Sequence, residues 1–72
     1  MAKPKVLEMV LDSHLAAVDY AKSESTRTNQ SVWVVEYREK ESPDDMRFFE
    51  VVTESRLSIL MEYYDVLQTL RF

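Results

Sequence analysis

The chain has 72 residues, a net charge of −4, one histidine and neither cysteine nor glycine. This length allows a single domain, and the lack of cysteine excludes disulfides and thiolate metal sites. One histidine cannot form an imidazole cluster, and a chain without glycine cannot form a glycine-rich phosphate loop. We therefore expect a non-enzymatic protein with no catalytic residues, no cofactor and no metal.

The composition is typical of a folded domain, with 46% hydrophobic and 11% aromatic residues. No apolar run approaches the length of a membrane span, and acidic residues interrupt the amino-terminal stretch where a signal peptide would be apolar. Basic residues are outnumbered by acidic ones, 9 to 13, which disfavours a nucleic-acid partner. These features predict a cytoplasmic protein with no membrane partner.

The amino-terminal third admits two interpretations. In the first, residues 5–11 form a strand that leads into a helix from His14 to about residue 22. Asp12 and Ser13 support this interpretation, because their side chains suit a helix start. In the second, Pro4 lies in the first turn of one long helix. We favour the strand, because a two-stranded sheet alone is marginal in water. The helix would then bury Ala17, Val18 and Ala21, with Leu15 at its flank.

A loop and a β-hairpin are predicted next. Residues 23–30 contain no apolar side chain and are rich in Ser, Thr and Asn, which is typical of a loop. Residues 31–53 read as two strands that alternate apolar and polar positions across a polar turn. Alternation predicts Trp33, Tyr37 and Phe49 on one face of this hairpin, with Arg38 and Phe48 on the other.

Charge suggests a register for the hairpin. Pairing Glu36 with Glu50 would place like charges opposite each other, whereas a shift of two residues places Arg38 opposite Glu50. The shifted register also sets Glu41 opposite Arg47. It predicts a loop of about residues 42–46, from Ser42 to Met46, with Pro43 and Asp44 at the turn.

The carboxy-terminal segment, residues 55–72, is predicted to be one helix capped by Thr53 or Ser55. It carries two apolar stripes at helical spacing, whereas packing on one sheet face needs only one. The surplus stripe predicts contact with another protein, because large exposed apolar patches mark interaction sites. The predicted interface, which includes two residues of the hairpin, comprises Leu57, Ile59, Leu60, Met61, Tyr63, Tyr64, Val66, Leu67, Leu70, Val34 and Phe48.

Other candidate sites have simpler structural explanations. Asp12, Ser13 and Asp19 are near His14 in sequence, but neighbours one or two positions away on a helix do not face each other, so His14 is expected to have a structural or surface role. The acidic residues around the hairpin turn lack the pattern of a calcium loop and are expected to keep the turn solvated. Aromatic residues of the hairpin could stack on nucleic-acid bases, but core packing is the favoured role.

The predicted fold is a small α+β domain, β-α-β-β-α, with a central antiparallel hairpin; the alternative is α-β-β-α with a long first helix. The predicted function is that of a protein-interaction, regulatory or accessory module that forms a homodimer. A nucleic-acid-binding module is the alternative. Both hairpin faces carry large apolar groups, so helices on opposite faces would let one chain cover them. Helices on the same face would leave a partner to cover Val32, Val34, Phe48 and Val52.

Overall fold

The computed structural model describes residues 3–41 and 43–72. Its elements follow the order β-α-β-β-α-β, which confirms a small α+β domain that begins with a strand rather than a long helix. The elements are β1 (Met9–Leu11), α1 (His14–Thr28), β2 (Trp33–Arg38), β3 (Phe48–Val52), α2 (Glu54–Tyr63) and β4 (Asp65–Arg71).

The four strands form one sheet in the order β1-β3-β2-β4, and every neighbouring pair is antiparallel. Helix α1 packs over β1, β3 and β2, whereas α2 packs over β2, β4 and β3. Their contacts lie on opposite faces: Ala17 of α1 packs in a cluster with Val34 and Val51, and Leu60 of α2 packs in a cluster with Val35 and Val52. Each face of the hairpin is therefore covered by a helix of the same chain.

Helix α1 begins as predicted and ends later than predicted. Its N-cap is Ser13, whose hydroxyl oxygen accepts a hydrogen bond from the Ala16 backbone N–H at 3.1 Å. The helix continues to Thr28, so the prediction of a loop over residues 23–30 was wrong for residues 23–28. The Thr28 hydroxyl donates to the Glu24 carbonyl, and Asn29 ends the helix in the left-handed conformation with φ 53°.

The first strand is shorter than predicted, spanning Met9–Leu11 instead of residues 5–11. The preceding residues are held by α1 rather than by the sheet. The Leu7 N–H donates to the Glu24 carboxylate at 3.0 Å, and the Arg27 guanidinium donates to the Lys5 carbonyl at 2.7 Å. These side-chain bonds replace strand pairing for that segment.

The carboxy-terminal segment is a helix followed by a strand, so the prediction of one helix over residues 55–72 was wrong. Helix α2 ends at Tyr63, and residues 65–71 pair with β2 as a fourth strand. Propensity allows both states for this sequence, and tertiary pairing with β2 decides between them. A β-bulge in β4 lies opposite the step from Glu36 to Tyr37.

The hairpin register also differs from the prediction. Glu50 lies opposite Val35 and Phe49 lies opposite Glu36, so the pairing of Arg38 with Glu50 was wrong. The offset of three residues moves Phe48 onto the Tyr37 face and Phe49 onto the opposite one. The strands are joined by residues 39–47, a longer connection than predicted, and the predicted turn residue Ser42 lies outside the described residues.

Cross-strand charge pairing did not predict the hairpin register, because Glu36 and Glu50 both bond to arginines other than those assumed. Glu50 is bonded by Arg56 of α2 at 2.9 Å, and Glu36 accepts a bond from Arg47 at 2.8 Å.

Two hydrophobic clusters lie on the two sides of the sheet. The α1-face cluster is built from Val6, Ala17, Ala21, Val32, Val34 and Val51. The α2-face cluster is built from Val35, Tyr37, Val52 and Leu60.

Candidate interaction surface

The predicted interface residues fall into three groups by burial. Val34 and Leu60 are buried in the two core clusters. Leu57, Tyr64, Val66 and Phe48 are half-buried against the α2-face cluster, and Leu70 is half-buried against the α1-face cluster. The residues that remain exposed are Ile59, Met61, Tyr63 and Leu67, and we call these four the α2–β4 surface.

The exposed side chains of α2 lie on two flanks of the helix. Arg56 reaches Glu50 of β3, and Ile59 and Tyr63 follow it at three- and seven-residue spacing on the same flank. Met61 lies on the other flank and lines an open groove with Tyr64 and with Val66 of β4. The helix therefore presents Ile59 and Tyr63 towards the β3 side, and Met61 towards the β4 edge.

Strand β4 is an edge of the sheet among the described residues, and its backbone directions follow from its pairing with β2. Phe72 and Val32 exchange two backbone hydrogen bonds, of 2.8 and 3.1 Å. Because an antiparallel strand alternates inward- and outward-facing amides, the Arg71 and Thr69 amides face away from β2. The regular half of this edge thus presents unpaired backbone donors and acceptors, whereas the groove beside Met61 lies at the other end of β4, near Asp65 and Val66.

A buried polar network lies beneath α2 and centres on Glu50, which is 5% exposed. The Tyr37 hydroxyl donates to Glu50 Oε1 at 2.7 Å, and Arg56 Nε donates to Glu50 Oε2 at 2.9 Å. Burial, and secondarily the bond to Glu50, raises the pKa of Tyr37, so the phenol stays protonated and donating. Each buried side-chain N or O atom in the described part of the chain has a hydrogen-bond partner, so this network acts as a structural clamp.

A second polar cluster holds the amino-terminal segment against α1. Arg27 makes hydrogen bonds of 2.9 and 2.7 Å to the two carboxylate oxygens of Glu24. The Arg27 bonds, followed by the Leu7 N–H bond, lower the pKa of Glu24 to about 2. The Tyr20 hydroxyl donates to the Leu7 carbonyl at 2.7 Å, which completes the attachment.

A second exposed apolar region, at the β1 edge, was not predicted from the sequence. Leu7, Met9, Val10 and Leu15 are 57%, 44%, 53% and 71% exposed. Their apolar character favoured burial in a strand and helix, and only Leu15 was expected at a flank. No pattern in the sequence distinguishes these residues from core positions. The short length of β1 is set by hydrogen bonds that join residues 5 and 7 to side chains of α1, which the sequence pattern does not reveal.

The aromatic residues of the hairpin do not form an open platform. Trp33, Tyr37 and Phe48 lie on the face covered by α2, and the Tyr37 and Phe48 rings stack with centroids 5.4 Å apart. Phe49 lies on the other face, where its ring meets His14 edge-on at 6.0 Å. This arrangement gives His14 a packing role and leaves no set of adjacent exposed rings on these strands for base stacking.

The described residues show neither a metal-binding cluster nor a membrane-spanning helix. Among residues 3–41 and 43–72, no group of three or more His, Asp or Glu side chains has an arrangement that would hold a metal ion. Neither helix of the described chain is long and apolar enough to cross a bilayer. Comparison of the chain with protein-family models, with curated proteins and with solved structures finds no match.

Proposed function

We propose that this protein is a non-enzymatic protein-interaction module, regulatory or accessory in role and cytoplasmic, that binds a partner protein through the α2–β4 surface. One observation carries the proposal: Ile59, Met61, Tyr63 and Leu67 stay exposed although the chain already covers both faces of its own sheet. These side chains are not needed for the core, three of the four lie on α2, and exposed apolar patches mark interaction sites.

The chemistry of the flank formed by Ile59 and Tyr63 suits a protein partner. Tyrosine supplies a large apolar ring and a polar hydroxyl, and aromatic residues are enriched at the centres of interfaces. Tyr63 is 64% exposed and lies one helical turn from Ile59, so the two can enter the same pocket of a partner. Arg56 and Glu62 lie beside them on the helix and would form part of a polar rim.

The test compares capture of binding proteins by the wild-type chain and by the double variant Ile59→Ser, Tyr63→Ser, using quantitative mass spectrometry. Both side chains are exposed, so we expect an unchanged circular dichroism spectrum. We expect the recovery of specific partners to fall about tenfold or more, which is the loss typical of removing interface anchors. The matched control is Val10→Ser, Leu15→Ser, which removes equally exposed apolar side chains at the β1 edge.

The result can contradict the proposal in two ways. Equal recovery with the wild-type chain and the Ile59, Tyr63 variant would show that this flank is not the binding surface. Loss of the same partners with the Val10, Leu15 variant alone would place the interface at the β1 edge.

A further inference from the structure

We propose that the β1 edge binds an extended segment of another protein, in which basic residues lie on both sides of an apolar residue. The segment would add a further strand to the sheet beside β1. Its apolar residue would lie next to Val10, and its basic residues would lie opposite Glu8 and Asp12. This site is on a different strand from the α2–β4 surface, so the inference goes beyond the proposed function and does not depend on it.

The backbone of β1 has groups that face away from the sheet. Phe72 and Val32 exchange two backbone bonds, so even-numbered residues at this end of β2 bond to β4 and odd-numbered ones bond to β3. Val35 is paired with Glu50, so even-numbered residues of β3 bond to β2 and odd-numbered ones bond to β1. The odd-numbered residues of β3 lie opposite those of β1. The N–H and C=O of Val10 therefore face outward and are available to a further strand.

The side chains of β1 are also uncovered. Val10 lies opposite Glu50 and so shares the face of the sheet on which α2 lies. In the described part of the chain, α2 contacts β2, β3 and β4 but not β1, and Val10 is exposed. Met9, on the α1 face, is exposed as well. An edge strand with exposed apolar side chains and outward backbone groups is a template for an added strand.

Two carboxylates flank Val10 at the ends of β1. The Glu8 carboxylate accepts hydrogen bonds from the N–H and hydroxyl of Thr53, so it lies on the α2 side of the sheet. Thr53 is neutral, and the positive start of α2 offsets the Glu8 charge only in part. Asp12 is exposed at the other end of the strand. Neither acid belongs to an ion pair among the described residues.

These charges select a basic segment and disfavour a second copy of this chain. Antiparallel self-pairing centred on Val10 would set Glu8 of each copy opposite Asp12 of the other, and in-register parallel pairing would set each acid opposite itself. Lysine or arginine at the same positions of a partner strand would instead pair with both acids. The ends of β4 offer no such selection, because Asp65 and Arg71 already bond to side chains of the same chain.

The experiment uses two synthetic peptides with blocked ends. The basic peptide is Thr-Lys-Val-Ile-Val-Lys-Thr, and the acidic peptide has glutamate in place of both lysines. Each sequence reads the same in both directions, so it can meet β1 in either orientation. Each peptide is added at low salt to the isotope-labelled full chain up to about 5 mM, a range suited to the weak affinity of a short strand. Amide NMR spectra follow residues 8–12.

We expect the basic peptide to shift the Val10 amide signal and to slow its hydrogen exchange, and the acidic peptide to do neither. Asp12→Lys replaces an attraction by a repulsion and should weaken binding of the basic peptide about fivefold or more. The matched control Asp19→Lys makes the same charge change at an exposed position of α1 and should weaken it by less than about twofold.

A second variant guards against a change in the fold. If circular dichroism shows that Asp12→Lys disturbs the start of α1, Glu8→Gln takes its place. The glutamine keeps an oxygen for the Thr53 N–H and removes the charge, so we expect weaker binding of the basic peptide by about twofold or more.

Four results would overturn the inference. Unchanged signals of residues 8–12 with the basic peptide up to about 5 mM would reject docking at this edge. Equal binding of the two peptides, or an equal loss with Asp19→Lys, would reject the selection of a basic segment. A Val10 signal that shifts with protein concentration in the absence of peptide would assign the edge to a second copy. None of these results involves Ile59 or Tyr63, so the α2–β4 surface keeps its own separate test.

Discussion

The two faces of the sheet are covered by helices in two different ways. On the α1 face, Ala17 and Ala21 are fully buried against valines, and the small side chains let the helix lie close to the sheet. On the α2 face, the buried Leu60 is accompanied by the polar network of Tyr37, Glu50 and Arg56. The short helix α2 is therefore held on the sheet by one buried leucine and by a hydrogen-bonded network, whereas the longer α1 is held by apolar contact.

This comparison predicts that one truncation on the α2 face will have the largest effect. We expect Leu60→Ala to lower the free energy of unfolding by about 2–5 kcal/mol, because it removes the one fully buried side chain of α2 and leaves a cavity. Chemical denaturation measures the change. The control Met61→Ala, at an exposed neighbouring position, is expected to change it by less than about 0.5 kcal/mol. Equal effects would show that α2 is not anchored by Leu60.

The next effect tests whether the polar network acts as a clamp. Glu50→Gln keeps the shape of the side chain but removes the negative charge that accepts hydrogen bonds from Arg56 and from the Tyr37 hydroxyl. We expect a loss of about 2 kcal/mol, which is typical for hydrogen bonds to a charged group. Thermal unfolding followed by Trp33 fluorescence would report it. Glu62→Gln, at an exposed position of the same helix, is the control, and an equally large loss there would contradict the clamp.

On the α1 face, a smaller effect is expected at the helix start. Ser13→Ala removes the acceptor for the Ala16 N–H, which typically costs about 1 kcal/mol. Urea denaturation is precise enough to detect this difference. Thr53→Ala provides the comparison at the other helix, where Thr53 is the N-cap but its side chain makes no capping bond. The Thr53 hydroxyl instead donates to Glu8 at 3.2 Å. If Thr53→Ala lowered the free energy of unfolding as much as Ser13→Ala, the loss at Ser13 could not be assigned to its capping bond.

The last expected effect is an acid dependence that arises from the α1 layer, and solvent around the half-exposed Arg27 side chain keeps it small. The bonds from Arg27 and from the Leu7 N–H lower the pKa of Glu24 to about 2, below the value of about 4.3 for an unfolded chain. The folded state then binds fewer protons, so this stabilisation is complete above about pH 5 and is lost as the pH falls towards 2. Thermal unfolding between pH 2 and pH 7 measures it. Glu24→Gln should flatten this part of the profile, and an unchanged profile would contradict the assignment.

Short-range patterns in the sequence predicted correctly those elements whose conformation depends on nearby residues. Ser13 was predicted as a cap and is one, and the alternation of residues 33–38 predicted a strand that the structure contains. The α+β class followed from such signals. Of the predicted interface, Ile59, Met61 and Tyr63 are exposed on α2, whereas the buried Val34 and Leu60 were not separable from them by helical or strand periodicity.

Specific side-chain contacts explain the remaining differences between the predicted and the observed structure. Residues 23–28 have poor apolar content but stay helical because Glu24 and Thr28 bond within α1 and to the amino-terminal segment. The hairpin register could not be found from cross-strand charges because Arg56, a residue of a later helix, is the partner of Glu50. The Leu7–Glu24 bond links residues 17 positions apart, and the Arg56–Glu50 bond joins a helix to the strand before it, so neither segment alone shows the contact.

The sequence by itself determined the class of the domain, the start of α1 and the two central strands, since each depends on residues within a few positions. Only the tertiary structure decided that residues 65–71 become β4 and that the helices lie on opposite faces. A strand needs a partner to satisfy its backbone groups, and the available partner for this segment is β2. The same pairing turned a predicted helical stripe into an edge strand beside α2, which is why the candidate interface includes backbone as well as side chains.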